Sequence, residues 1–343
     1  MSAATGVGAM SAATAAAVAA SYQLGAPVAD PVFAARGEQG LVWRLDTRDG
    51  SWAVKELLLP VAEADAVRDV AFQLAALAAG LPLPRPCHTR DGRVVLPAGE
   101  AAATHSVRVY EWAALAAGSP AATAAEIGAV TARLHRLGHT DGRPVEAWFS
   151  EPLGEPGWQA LHATASRAGA PWARALGRWL PELIALDGVA APPDPAQLTT
   201  CHRDLNTENV LRAAGGGTVV LDWENCGPAQ LERELALILS DLAVDVSLAA
   251  AAAAHHAYQA AAGPARLTGA SDFATAVAVQ GHLLEFYSRR ALDPAESAQN
   301  AARSRGRLDR MLRQPLTRSR VSRLLRLLAR RQNIDGHQGA GSE

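Results

Sequence analysis

The amino-acid sequence predicts an α+β protein in which a small antiparallel β-sheet precedes a larger, mainly helical region. Short apolar runs between residues 32 and 56 are separated by turn residues such as Asp46 to Gly50, a pattern typical of hairpins. Further along, apolar residues recur at helical spacing, as in Ile127, Val130 and Leu134. The chain has 343 residues, which is enough for two lobes and a sizeable core.

The sheet is expected to begin with three short strands, at residues 32–35, 41–45 and 51–57. Gly37 and Gly40 lie in the first turn, where they would let backbone N–H groups approach a phosphate, although a plain hairpin turn fits this spacing equally well. Lys55 ends the run Trp52-Ala53-Val54-Lys55. This run is typical of the strand whose lysine contacts the α- and β-phosphates of a nucleotide. The alternative is a lysine on an exposed strand face.

A helix is predicted from Ala62 to Ala79, and it would supply an acidic partner that orients this lysine. Asp69 is the best candidate for that partner. Asp65 lies one turn earlier on the same face and stays open as an alternative. After a proline-rich segment, Val107 to Trp112 is predicted as the last strand of the sheet.

The strongest chemical signal comes from two polar segments in the second half of the chain, His202 to Asn209 and Asp222-Trp223-Glu224. The first matches H-R-D-L-x-x-x-N, the catalytic loop of kinases. Asp204 stands where a hydroxyl proton can be accepted, while Asn209 and Asp222 offer the oxygen ligands that Mg²⁺ prefers. A turn at Gly215 to Gly217 would form a hairpin that brings Asp222 back beside Asn209. The alternative is that Asp204 caps a turn and Asp222 merely ends a strand.

These segments resemble those of the aminoglycoside phosphotransferase-like kinases, which show H-x-D-x-x-x-x-N, an apolar strand and then D-W-E or D-F-E. The corresponding text here is CHRDLNTENVL and VVLDWENCGPAQLERELA. The resemblance covers residues 30 to 315. It implies a bilobal, protein-kinase-like fold and an enzyme that uses ATP and Mg²⁺ to phosphorylate a hydroxyl group of a small molecule. Protein kinases are the nearest competitor, but Asn206 replaces their usual lysine and no A-P-E segment follows Asp222.

The resemblance also implies where the nucleotide and the acceptor bind. Adenine would be read at the hinge after the last strand, by backbone groups of Glu111 and Trp112. Glu224 lies just beyond Asp222, where it could meet a substrate ammonium group. The family's G-D-P-x-x-D segment is altered here. Glu234 stands for its final aspartate and is a second candidate for substrate contact.

The predicted organisation has four parts. Residues 1–20 are rich in alanine and predict a disordered or loosely helical extension. Residues 21–111 would form the N-terminal lobe that binds ATP, and residues 112–315 the helical C-terminal lobe with the catalytic loop. Residues 316–343 predict a basic amphipathic helix and a disordered tail. The arginines of this helix could contact a membrane, a nucleic acid or an acidic protein, but packing of the helix on its own lobe is favoured.

Composition and charge argue against several kinds of partner. The formal net charge of −2 gives no reason to expect nucleic acid as a partner, and no apolar stretch is long enough to span a membrane. The three cysteines form no C-x-x-C pair, which predicts a reduced, cytoplasmic protein without a disulfide framework or zinc site. The oligomeric state stays open.

The identity of the phosphoryl acceptor is also open at this stage. Glu232, Glu234 and Asp241 follow the D-W-E segment and predict an acidic rim that would attract a cation, which favours an aminoglycoside-like antibiotic. A metabolic amino alcohol or sugar is the alternative acceptor. An inactive nucleotide-binding or interaction protein is a further hypothesis. It is disfavoured because every residue needed for catalysis is present: Lys55, Asp204, Asn209 and Asp222.

Overall fold

The computed structural model describes residues 10–38 and 40–339, which fall into two compact units. The first unit contains the described residues up to Ala122 together with Glu208–Cys226. The second contains Thr123–Thr207 together with the described residues from Gly227 onward. The sequence predicted that the boundary between the two lobes follows residue 111. The structure differs because the stretch 208–226 folds back on the segment that precedes residue 123. For example, the N–H group of Ala122 donates to the carbonyl group of Val210 at 2.8 Å.

The strands agree closely with the predicted positions. Strands β1 to β4 form one antiparallel sheet in the order β1-β2-β3-β4, and the remaining strands form two short antiparallel pairs, β5 with β8 and β6 with β7. Within β2 the side chains alternate, so that Trp43 and Leu45 are buried while Arg44 and Asp46 are half-exposed. The strands are β1 Val32–Arg36, β2 Gly40–Thr47, β3 Gly50–Leu57, β4 Ser106–Glu111, β5 Thr199–Cys201, β6 Val210–Arg212, β7 Thr218–Val220 and β8 Gly227–Ala229.

The helices dominate the second unit. Those of the first unit are α1 Ala12–Ser21 and α2 Glu63–Ala78. Those of the second are α3 Ala124–His135, α4 Ala147–Ser150, α5 Gly154–Arg167, α6 Ala173–Asp187, α7 Leu231–Asp245, α8 Leu248–Ala260, α9 Ala274–Leu292, α10 Ala298–Arg313 and α11 Arg318–Gly339. Helix α3 begins with a capping box of Thr123 and Glu126. It packs closely on α8, because a Cβ atom at Gly128 would overlap the carbonyl group of Ala254.

Helix α1 lies within the segment predicted as a disordered or loosely helical extension, and it corrects the disordered alternative. Ser11 caps the helix, and Ala15, Val18 and Ala19 are buried in the same core as Leu45 of the sheet. Small apolar side chains allow this close packing, which the alanine-rich composition alone does not distinguish from disorder. Residues 1–9 of the predicted extension lie outside the described residues.

The C-terminal basic helix packs on its own unit, as favoured from the sequence. Val321, Leu324 and Leu328 of α11 are buried, and the helix contacts α6 and α8. It continues to Gly339, past the start of the predicted disordered tail at Asn333, and residues 340–343 lie outside the described residues. Among the described helices, none combines the length and the apolar character needed to cross a membrane.

Candidate active site

The predicted hairpin after the catalytic loop is confirmed. Strands β6 and β7 pair antiparallel, with Val210 opposite Val220. Gly216 and Gly217 adopt positive φ angles of 88° and 74° in the turn, a conformation that glycine reaches without strain. The N–H group of Leu221 then donates to the carbonyl group of Asn209 at 2.8 Å. This bond holds the backbone of Asn209 next to the residue that precedes Asp222, so the two proposed metal ligands are neighbours.

Two residues of the predicted site adopt a left-handed backbone conformation. Asp222 has φ 60° and ψ 70°, and Arg203, the residue before Asp204, has φ 63°. Residues other than glycine adopt this conformation at a cost, and such residues cluster at functional sites when the surrounding structure enforces them. The strain therefore supports a functional role for both segments.

Lys55 lies between two carboxylates of the D-W-E segment. Its Nζ atom is 2.7 Å from Oδ1 of Asp222 and 2.8 Å from Oε2 of Glu224. The lysine and Glu224 are largely buried, whereas 41% of the Asp222 side chain is exposed. Burial alone would lower the pKa of Lys55, but the charges of Glu224 and Asp222 outweigh it and raise that pKa. Lys55 is therefore a firmly charged cation beside an accessible carboxylate.

The two carboxylates are not equivalent. Burial would raise the pKa of Glu224, but the Lys55 charge and a hydrogen bond with Asp222 lower it. For Asp222, burial and the charge of Glu224 raise the pKa against the opposing effect of Lys55. Glu224 is thus the stronger acid of the pair.

Glu224 does not take the predicted place against a substrate. Besides Lys55 it binds Tyr110, whose hydroxyl group donates to Oε1 at 3.1 Å. The short 3-10 turn Trp223–Asn225 that follows Asp222 directs it inward. The sequence gives the position of Glu224 after the strand but not the direction of this turn.

Asp69, the predicted partner of the lysine, binds another cation. It lies 3.4 Å from Nη1 of Arg108, and both side chains are almost fully buried. The cause is the sheet register, which places Arg108 of β4 directly opposite Lys55 of β3. The guanidinium group of Arg108, with five N–H donors, thus competes with Lys55 for the carboxylate of Asp69. The alternative acid, Asp65, pairs with Arg68.

The predicted glycine turn brings the backbone close to Lys55. The N–H group of Gly37 donates to the carbonyl group of Gly40 at 2.9 Å, which closes the turn between β1 and β2. A Cβ atom at Gly40 would lie 2.8 Å from the carbonyl oxygen of Glu56 and 3.0 Å from Cε of Lys55. Glycine is therefore required here for space around the lysine.

The predicted hinge residues use their N–H groups within the sheet. Glu111 donates to the carbonyl group of Arg85 at 2.9 Å, and Trp112 donates to that of Ser51 at 3.0 Å. Of the backbone groups predicted to contact adenine, the carbonyl oxygens of these two residues are therefore the remaining candidates. Arg44 also covers the Trp112 ring, 5.3 Å from its centre.

In the second unit, the catalytic loop that carries Asp204 follows β5. Asn206 holds the aspartate from both ends: its side-chain amide donates to Oδ1 of Asp204 at 2.7 Å, and its N–H group donates to the Asp204 carbonyl at 3.1 Å. His202, two residues before Asp204, is fully buried. A carboxylate in a fixed rotamer can act as an oriented proton acceptor.

Arg203 anchors the same loop, a role that the sequence prediction missed. Its guanidinium group lies 2.5 and 3.2 Å from the two carboxylate oxygens of Glu146 and covers the ring of Phe149 at 3.8 Å. A Cβ atom at Gly227 would overlap this guanidinium group. The H-R-D motif drew attention to the arginine, but its partner is 57 residues away in the sequence and carries no motif.

Glu234 also differs from its predicted role as a substrate contact. It is buried, and its carboxylate lies 2.8 Å from Nε2 of His135 and 2.5 Å from the N–H group of Arg203. His135 of α3 is likewise buried. It lies eight positions after Ile127, on the apolar face of α3, and that spacing was the available signal.

A family model described as the phosphotransferase enzyme family matches residues 32–269, more than half of the chain. The chain belongs to the phosphotransferase enzyme family. Membership confirms the resemblance drawn from the catalytic segments and the prediction of an ATP-dependent small-molecule phosphotransferase. None of the curated proteins searched matches the sequence.

Solved structures of similar fold include three small-molecule kinases. A spectinomycin phosphotransferase in complex with ADP and spectinomycin is 13% identical, with a TM-score of 0.58 over 82% of this chain and 89% of that one. An amicoumacin kinase with AMP-PNP and Ca²⁺ is 15% identical, with a TM-score of 0.54 over 84% and 90%. A microcompartment-associated aminopropanol kinase is 15% identical, with a TM-score of 0.52 over 83% and 90%. The likeness confirms the predicted α+β, kinase-like fold of the phosphotransferase.

The first unit of the phosphotransferase offers a donor set that suits Mg²⁺. Asn209 and Asp222 provide an amide oxygen and a carboxylate, which are hard oxygen ligands. Their backbones are tied together through Leu221, and the exposed part of the Asp222 carboxylate is accessible to a cation. The residues present therefore fit the predicted metal.

Proposed function

We propose that this phosphotransferase moves the γ-phosphoryl group of ATP to a hydroxyl group of a small, cationic molecule. The observation that carries the proposal is the position of Lys55 between Asp222 and Glu224, with Asn209 next to them on the same hairpin. A fixed cation beside two oxygen ligands is the arrangement that binds the phosphates of a nucleotide. Phosphoryl transfer needs mainly such positioning and charge neutralisation.

Each residue then has a distinct role. Lys55 contacts the α- and β-phosphates, and Glu224 keeps the lysine in place. Asn209 and Asp222 would hold Mg²⁺, which neutralises the charge on the β- and γ-phosphates. Asp204, oriented by Asn206, accepts the proton of the acceptor hydroxyl group.

Acidic residues of the second unit favour a cationic acceptor. Asp241 and Asp245 lie one turn apart on α7, and burial together with the charges of Asp245 and Asp204 raises the pKa of Asp241. An acceptor with an ammonium group would relieve this crowding of negative charge. The similar structures are named for spectinomycin, amicoumacin and aminopropanol. Aminopropanol itself carries both an amine and a hydroxyl group.

We place the enzyme in the cytoplasm. The cosubstrate ATP is abundant there, and Cys87, Cys201 and Cys226 form no disulfide bond with one another, as a reducing compartment maintains. This proposal is tested by locating a tagged copy of the chain in fractionated cells, and recovery with the membrane or secreted fraction would contradict it.

The test of function is ATP consumption by the purified protein against pools of aminoglycosides, other hydroxylated antibiotics, amino alcohols and sugars. We expect turnover with at least one amine-bearing pool. Asp204→Asn should lower kcat by about 10²–10⁴-fold while leaving ATP binding intact. Turnover only with uncharged sugars would refute the cationic acceptor, and near-normal kcat in Asp204→Asn would refute the role of Asp204.

A second assay separates an antibiotic acceptor from a metabolic one. The protein is expressed in a susceptible bacterium, and inhibitory concentrations are measured for a panel of antibiotics with the Asp204→Asn variant as control. Protection by the wild type alone assigns an antibiotic. No protection, together with turnover of an amino alcohol, assigns a metabolic kinase.

A further inference from the structure

A continuous series of hydrogen bonds in the second unit ends at the catalytic loop. The N–H group of Ala265 donates to the hydroxyl oxygen of Tyr258 at 2.8 Å, and that oxygen lies 2.8 Å from Nδ1 of His135. Nε2 of His135 lies 2.8 Å from Oε2 of Glu234, whose Oε1 accepts from the N–H group of Arg203 at 2.5 Å. The three linking side chains are at most 4% exposed. We call this series the buried relay.

The direction of each hydrogen bond in the relay follows from counting protons. Burial would raise the pKa of Glu234, but the hydrogen bonds from His135 and Arg203 lower it, so the carboxylate is ionised and can only accept. Nε2 of His135 must therefore carry a proton. Tyr258 already accepts from Ala265, so its own proton is satisfied only if it points to Nδ1. A proton on Nε2 of His135, with Nδ1 accepting from Tyr258, leaves every polar atom of the relay paired.

The relay acts on the strained residue of the catalytic loop. Arg203 has φ 63°, which L-residues rarely adopt, and the Glu234 carboxylate fixes the N–H group at that position. The guanidinium group of Arg203 is fixed separately by Glu146. With both ends held, the direction in which the chain continues into Asp204 is determined.

We propose that His135 and Tyr258 are positioning residues that, through Glu234 and Arg203, fix Asp204 in its reactive orientation. This inference rests on the proposed function, because it assigns the relay to the base of the transfer reaction. It connects α3 and α8, which pack closely at Gly128, with the catalytic loop. Neither residue touches the reacting atoms in this role.

A metal ion is the competing explanation for part of the relay. Ligand atoms of His135, Cys201 and Glu234 lie within 4.8 Å of one another. In the tautomer derived above, however, both ring nitrogens of His135 are engaged. The Cys201 thiol also has a partner of its own, because its Sγ lies 3.9 Å from the carbonyl oxygen of Ala229, to which it donates. The hydrogen bonds therefore explain the cluster better than a cation does.

The tautomer is tested directly by nitrogen NMR of histidine-labelled protein, with His135→Gln used to assign the signal. We expect a His135 signal with the proton on Nε2 and none on Nδ1, and a changed signal in Tyr258→Phe. A protonated ring, or a proton on Nδ1, would overturn the relay. A signal that shifts on addition of Zn²⁺ would assign the cluster to a metal instead.

The positioning role is tested by kinetics. Tyr258→Phe keeps the ring and deletes the hydroxyl group, and it should lower kcat about tenfold or more without changing the dissociation constant of ATP. His135→Leu should lose more activity than His135→Gln, because the glutamine amide can still donate to Glu234. The matched control is Thr131→Val. It deletes a buried hydroxyl group one turn earlier on α3, bonded only to the Ile127 carbonyl, and should leave kcat unchanged.

These outcomes separate the relay from the proposed function. If the wild type phosphorylates no acceptor, the proposed function fails, whereas the NMR signal still reports on the relay. If the wild type is active and both Tyr258→Phe and His135→Leu retain its kcat while folded, the positioning role is wrong. Equal losses of kcat in Thr131→Val and Tyr258→Phe would also overturn it, since they would reflect stability alone.

Discussion

Replacing Glu224 with glutamine tests which acid orients Lys55. The amide keeps the shape of the side chain and can still accept the hydroxyl group of Tyr110, but it removes the negative charge 2.8 Å from Nζ of the lysine. At that distance, an effective dielectric constant of about 20 gives an attraction of about 6 kcal/mol before desolvation. The net loss is smaller, because Lys55 keeps Asp222 and because burying the pair costs free energy.

We expect Glu224→Gln to weaken ATP binding about 10-fold to 100-fold, which corresponds to about 1.4 to 2.7 kcal/mol. The reason is that Asp222 would serve the metal once nucleotide is bound, which leaves Glu224 as the carboxylate that holds Lys55. The same variant should lower kcat, since a displaced lysine misaligns the phosphates.

The assay is calorimetric titration with a non-hydrolysable ATP analogue in the presence of Mg²⁺. Glu56→Gln is the matched control. Glu56 lies next to Lys55 on β3, and its buried carboxylate accepts a hydrogen bond from the Trp43 ring N–H at 2.9 Å. Its loss of charge should leave ATP affinity unchanged. Asp69→Asn is the competing variant. The assignment is refuted if Glu224→Gln binds ATP like the wild type while Asp69→Asn does not.

Three further changes test other parts of the site. Asp222→Ala should abolish activity and the Mg²⁺ dependence of ATP binding, and an unaltered Mg²⁺ titration would place the metal elsewhere. Gly40→Ala should weaken ATP binding several-fold, because the new Cβ would lie 3.0 Å from Cε of Lys55; equal affinity in the titration would contradict this. Asp241→Asn should raise KM for a cationic acceptor and stabilise the fold near neutral pH. Burial and nearby carboxylates raise the pKa of Asp241 in the folded state, so its ionisation penalty is absent at low pH and grows as pH rises. Urea unfolding should therefore show the gain at about pH 8 and not at about pH 3.5, and a gain of equal size at both would contradict the assignment.

Local patterns were sufficient to predict the elements that carry the site. The hairpin of β6 and β7 follows from two short apolar runs around a glycine turn, and the sheet strands follow from alternation and turn residues. Helix α1 could not be predicted in this way. Its burial depends on contacts with the sheet core that are distant in the sequence, such as those around Leu45.

The relative positions of the candidate site residues were predictable where spacing along the chain fixes geometry. Asn209 and Asp222 flank one hairpin, so their proximity follows from the sequence. The partner of Lys55 did not follow, because it depends on cross-strand register and on the direction of a single turn. The relay residue His135 was missed for a related reason: a histidine on an apolar helix face carries no motif, and its partner Glu234 lies 99 residues further on.

The register of β3 and β4 explains why Lys55 pairs with Glu224 and not with Asp69, its predicted partner. Arg108 lies opposite Lys55 and binds Asp69, so the acid on α2 is already neutralised. Lys55 instead binds the carboxylate of Glu224, which lies on the hairpin segment that also carries Asp222. As a result, the lysine, its orienting acid and the two proposed metal ligands all belong to the first unit. Binding of nucleotide can therefore be organised within that unit alone, and variants in it should change ATP affinity even where the acceptor is absent.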